Sequence, residues 1–220
     1  MAGYGVIFDI QQQQRYARVQ IAIRVLIIII ASLLSFAVSP ILGLIYLAIP
    51  VMAAIYISQK GAAGYLADHE QSMTRWLRLL LAVYAYLIIL TDRLPNEDPK
   101  ETLRFDVEPR GEPSAGGVLL RIITSIPHWF VLGLLGIIGG ILLLVAAIMV
   151  LIQESYPEGI FNFQRGIMRW SARVYAYMAG LVQEYPPFAF DTGPETDTAM
   201  TSSPVTPPPA APPTQAPPTG

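Results

Sequence analysis

Two long apolar tracts, 20–58 and 118–153, dominate the chain, and each is followed by a stretch where apolar and basic positions alternate at helical spacing. Either tract exceeds the roughly 20 residues that a helix needs to cross a bilayer. As one helix, 20–58 would run about 60 Å, about twice the hydrocarbon thickness. Ser39-Pro40 supplies a break, because proline disfavours helix in the residue before it. That predicts spans at 20–38 and 40–58. In the second tract "GIIGG" at 136–140 predicts the corresponding turn, giving spans at 118–136 and 137–153. The competing reading is a single tilted helix over 118–153, with Gly136 and Gly140 as a packing face.

The stretches after the tracts, 65–93 and 161–184, read as amphipathic helices. At about 100° per residue, Phe163, Ile167, Trp170, Val174, Tyr177 and Leu181 form one stripe, and Arg165, Arg169 and Arg173 form another. Met73, Trp76, Leu80 and Leu87 repeat the apolar face in the earlier stretch, with Arg75 and Arg78 off it. Such a helix lies in the membrane interface, rings at headgroup depth and guanidinium groups at the phosphates. The predicted lipid or partner contacts are therefore Arg75, Trp76, Arg78, Arg165, Arg169, Trp170 and Arg173. A plainer role, stapling the hairpins, also fits, because positive-inside proteins carry arginines at this level. For 77–90 a re-entrant or fifth spanning segment is the alternative.

The same elements occur twice. "FDI" at 8–10 returns as "FDV" at 105–107 and "RVL" at 24–26 as "RII" at 121–123, both at an offset of 97. "RW" at 75–76 returns at 169–170, offset 94, and "VYAY" at 83–86 returns at 174–177, offset 91. Each copy is an extended or strand-like lead, a hairpin and a trailing helix. The expected fold is all-α and membrane-integral: a first repeat over 1–95, a polar connection over 96–117, the rest of the second repeat over 118–187, and a disordered Pro/Thr/Ala-rich tail over 188–220.

Composition supports the class: 53% of residues are hydrophobic and 14% charged, and the mean hydropathy is +0.48. The polar N-terminal twenty residues precede a tract too long for a signal-peptide core, which predicts a retained anchor. All 14 Lys and Arg lie away from 39–40 and 136–140. By the positive-inside rule this predicts four spans with both termini and the central connection cytoplasmic. The absence of cysteine excludes disulfides, thiolate metal sites and cysteine nucleophiles.

Candidate chemistry is sparse. His128 is the one ionisable side chain expected near the middle of a span, which makes it a candidate cofactor ligand or proton relay. The plainer reading has it bonded to carbonyls that Pro127 frees. No Asp, Glu or Lys lies in a predicted span, which counts against ion-coupled transport. Ser32, Ser35, Thr124 and Ser125 lack an acid–base partner.

The run "LLRIITSIPHWFVLGLLGI" followed by "YPEGIFNFQRGIMRWSARVYAYMAGLVQEYPPFAF" resembles a bacterial membrane-protein family, domain of unknown function 4389, most strongly over 105–190. The resemblance rests on the Arg-rich entry, the Pro-His, the "YP" and "F" before an "RW" helix, and the closing "YPPF". Copy one keeps "RW" and "VYAY" and lacks the rest. The resemblance implies a bacterial inner-membrane location and brings no catalytic residues. The expected role is a non-enzymatic accessory or scaffold protein that packs against membrane lipid and a membrane-protein partner or itself, with no nucleic acid. The alternative is an oligomeric channel or transporter component with His128 near the midplane. No cofactor identity is implied.

Overall fold

A computed structural model describes residues 4–33, 35–94 and 99–193, with side chains outside 28–46, 99 and 101. It is mostly helical. Strand β1 (Val6–Asp9) pairs antiparallel with β2 (Arg104–Val107), Phe8 opposite Phe105. The helices are α1 (Arg18–Leu33), α2 (Ser35–Leu87), α3 (Pro99–Thr102), α4 (Ala115–Thr124), α5 (Ile126–Gln153) and α6 (Glu158–Met178). The two leads expected to be extended are thus joined in one ribbon, which the all-α description lacked.

Helix α6 is the centre of the molecule. It packs against α2, α4, α5 and β1, and every residue from Gln164 to Met178 is buried. Its end is a left-handed stop: Gly180 has φ 76, and the Leu181 N–H donates to the Ala176 carbonyl at 3.1 Å. A Cβ at Gly180 would meet Val118 Cγ2 at 3.0 Å, so the turn needs glycine for space as well as for φ. Helix α5 runs antiparallel beside α6, with His128 against Trp170 and Gly139 against Gln164.

Two predicted breaks move. α2 continues through Pro40 and Pro50, because an internal proline removes one i→i−4 bond without ending the helix on both sides. α1 ends at Leu33 and α2 begins at Ser35, with Leu34 outside the described residues, and the helical run of α2 is interrupted at Gly61 (φ 74, ψ 173). In place of two spans at 118–136 and 137–153 there are α4 and one unbroken α5. The kink between them is at Ser125, where Pro127 has no N–H and its ring would clash with the Ile123 carbonyl. Gly136 and Gly140 have open space around them, so neither breaks the helix or packs it. The packing glycine is Gly139, where Gln164 and Ile167 come within 3.1 Å of a Cβ position.

The trailing helices also differ from expectation. The first ends at Leu87, not 93, and the second is the buried α6, not an interfacial helix. The segment from Tyr185 to Gly193 packs as a strap along α6: Phe188 stacks on His128, and Phe190 lies on Phe163. The expected disordered tail therefore does not begin at 188, and 194–220 lies outside the described residues.

Candidate functional site

The arginines singled out by spacing turn inward. Arg169, 3% exposed, donates from Nε to the Phe8 carbonyl at 3.0 Å, and from Nη1 to the carbonyls of Asp191 at 2.9 Å and Gly193 at 2.7 Å. Its Nη2 lies 3.4 Å from Asp9 Oδ1. Arg165 donates to the Thr192 carbonyl and to Asn162 Oδ1, and Arg173 pairs with Asp191 at 2.9 Å. A planar guanidinium with several donors satisfies backbone carbonyls that cannot reach water. These three side chains lock the ribbon and the strap onto α6 and do not face phosphates.

Trp170 is buried as well, 4% exposed, and its indole Nε1–H donates to His128 Nδ1 at 3.0 Å. Phe188 stacks on the imidazole at 4.1 Å between centroids and Tyr185 lies at 4.8 Å, so His128 is fully enclosed. The donor from Trp170 fixes the neutral tautomer with its proton on Nε2. A metal on Nε2 would force the proton onto Nδ1, facing the indole N–H. In this arrangement His128 does not fit a metal-ligating cofactor. Among the described residues, its Nε2 and the Ser125 Oγ, one turn earlier, are buried without a partner. Pro127 removes a donor beside it, but the imidazole bonds to an indole and not to the freed carbonyl.

Arg78 resembles Arg169: it donates from Nε and Nη2 to the Phe105 carbonyl, at 3.1 and 2.5 Å, and its Nη2 lies 3.4 Å from Asp106 Oδ1. Arg24 and Arg121 form a second matching pair. Arg24 donates to the Thr91 carbonyl at 2.6 Å and lies over the Tyr86 ring at 4.5 Å. Arg121 donates to the Val182 carbonyl at 2.9 Å and lies over Tyr177 at 4.5 Å. Arg75 and Trp76 are the two predicted contact residues that stay at the surface, Trp76 at 68% exposed.

The two ends of α5 differ from the charge pattern read along the chain. Arg121 sits near one end, while Arg15 and Arg18 both pair with Glu154 at the other. Neither end is free of basic residues, so the asymmetry that oriented two hairpins does not orient this helix. Among the described residues, no three His, Cys, Asp or Glu side chains converge on a metal position.

Residues 116–189 match the model of a protein family described as a domain of unknown function, DUF4389. The match covers α4, α5, α6 and the strap up to Ala189, the stretch that carries the Pro-His, "YP", "RW" and "YPPF" motifs. No curated protein and no solved structure matches the chain.

Proposed function

We propose that this protein, with its DUF4389 stretch, is a membrane-embedded, non-enzymatic scaffold or accessory subunit of a bacterial inner membrane. One observation carries the reading. α5 is long and apolar enough to cross a bilayer, yet only 17% of its most apolar window is buried. Buried positions such as His128, Leu132, Gly139, Ala146 and Val150 make a single stripe, which meets α6 at His128 and Gly139. The remaining sides present Phe130, Ile137, Ile141, Leu144 and Ile152, all exposed. A core helix of a water-soluble protein is covered; this one needs lipid or a partner. At about 1.5 Å per residue its length of roughly 42 Å exceeds the apolar thickness, which allows tilt.

The arginines do not support specific lipid recognition, because they are committed to internal carbonyls. Arg75 and Trp76 remain available for headgroup or partner contact. The enclosure of His128 gives the channel alternative no support. The test is extraction of native membranes with alkaline carbonate, followed by gentle detergent purification and identification of co-purifying proteins. Retention in the membrane and a constant membrane-protein companion are expected. Release by carbonate would overturn the membrane reading. A companion-free monomer in several mild detergents would overturn the scaffold reading.

A further inference from the structure

The paired arginine contacts cross between the halves of the chain, and so do other contacts. Arg78, late in the first half, holds Phe105 at the start of the second; Arg169, late in the second, holds Phe8 at the start of the first. Tyr65 OH donates to the Ala179 carbonyl at 2.6 Å, and Tyr156 OH lies 3.5 Å from the Ile88 carbonyl. Arg78/Arg169, Tyr65/Tyr156 and Ile88/Ala179 are each separated by 91 positions, and Phe8/Phe105 by 97. In the ribbon, Phe8 pairs with Phe105, its own equivalent, which puts a local twofold axis between them.

The ends of the trailing helices repeat to the level of single hydrogen bonds. Ile88, Ile89 and Leu90 donate to Tyr84, Tyr86 and Ala85; Ala179, Gly180 and Leu181 donate to Tyr175, Tyr177 and Ala176. Ile89 takes the left-handed conformation, φ 64, at the position where the second half has Gly180. A β-branched residue is strained there, and it is held by being buried. The "RW" match at offset 94 is therefore not the structural one. Arg78, not Arg75, stands where Arg169 stands, which is why Trp76 is exposed and Trp170 is not.

We propose that residues 4–92 and 103–183 are two copies of one unit that complete each other across this axis, so that the chain is a fused dimer. Each unit's lead is fastened by the other unit's trailing helix, so neither is a self-contained bead on a string. The partner that fits one unit's exchange surface is a second copy of that unit. The proposal stands apart from the membrane reading, since it concerns contacts inside the chain.

The test uses the full chain with a protease site inserted between Asn96 and Glu97, purified in detergent and cleaved only after folding. The two fragments should elute together at the uncut size. Twin substitutions Arg78→Gln and Arg169→Gln, made one at a time, should each weaken that association, within about tenfold of each other. Separation of the unsubstituted fragments on cleavage would overturn the proposal, as would a dependence on one arginine and not its twin. If either arginine variant fails to fold uncut, Tyr65→Phe and Tyr156→Phe supply a milder pair judged by the same rule.

Discussion

α5 consists mostly of aliphatic residues and glycine; α6 beside it carries Arg165, Arg169, Arg173, Asn162 and Gln164, and it is α6 that is buried. In water this arrangement would leave the apolar helix exposed and enclose the polar one, against the main driving force for folding. The two helices have different tasks. α5 meets its surroundings with side chains that need no partner, since its backbone groups are satisfied within the helix. α6 uses guanidinium donors to satisfy the irregular backbone packed on it: the carbonyls of Phe8, Asp191, Thr192 and Gly193. Irregular chain at the centre of a molecule needs donors brought to it, because water is excluded there.

The largest effect expected from this contrast is at Arg169. Arg169→Ala removes the donor to three carbonyls and leaves Asp9 with one fewer cation, so stability should fall by about 3–5 kcal/mol. Denaturation in detergent would measure it. Ile137→Ala on the uncovered side of α5 serves as the control and should cost far less. Equal losses at the two positions would break the contrast.

The next effect tests the surroundings of α5. Ile141→Lys lies on an exposed face near the middle of the helix. If that face meets lipid, the lysine carries an apparent insertion cost of about 2.5–3.5 kcal/mol, read as a drop in membrane-integrated protein. If the face meets water, the change should stay within about 0.5 kcal/mol. The same experiment at Trp76 should show little cost for Trp76→Lys if that residue sits at headgroup depth.

Much of this contrast was legible in residue order. The apolar tracts and the leads gave element types, because helix periodicity is a local signal, and the shared "VYAY" pointed to the duplication proposed above. The direction in which α6 faces was not local. Arg165, Arg169 and Arg173 at i, i+4 and i+8 make the same stripe whether they meet phosphates or the carbonyls of a strap 20 residues later. The hint lay in Phe-Asp occurring twice, each copy with an arginine far along the chain to clamp it. The position of the break in 118–153 was also hidden. Three glycines in the five residues 136–140 read as a turn, yet the helix needs only Gly139 bare, and the kink goes to the proline.

A smaller effect separates neighbouring glycines. Gly139→Ala puts a methyl at 3.1 Å from Gln164 and Ile167, whereas Gly140 has nothing within 4 Å. Gly140→Ala should stabilise α5 by about 1 kcal/mol through helix propensity. Gly139→Ala should lose that gain to crowding, and Gly139→Leu should cost about 1–3 kcal/mol. Thermal unfolding of the three variants would rank them. Identical behaviour at 139 and 140 would mean that α6 does not approach α5 at this point.

The smallest effect is in pH and concerns the phenols at the turns rather than the helices. Burial raises the pKa of Tyr16 and of Tyr156 well above the usual tyrosine value. Tyr16 OH faces the Leu90 carbonyl and Tyr156 OH faces the Ile88 carbonyl, both at 3.5 Å, so a phenolate in either place would face an acceptor; at Tyr16 the Gln13 N–H, 3.3 Å from the phenol oxygen, offsets only part of that cost. A phenol is neutral when protonated, and the folded state binds that proton more tightly than the unfolded state does. The stabilisation from each is fully present below the unfolded value of about 10 and is lost as pH rises above it. From neutral pH to about pH 9, these two groups should leave stability flat. Above about pH 10 it should decline, and in Tyr16→Phe or Tyr156→Phe the decline should be shallower. Tyrosinate absorbance provides the direct readout: these two phenols should ionise together with unfolding and not before it. Ionisation near pH 10 with the fold intact would place both hydroxyls in contact with water, and the turn at residues 88–90 would then lack the dry packing that distinguishes the centre of the molecule from the apolar coat around α5.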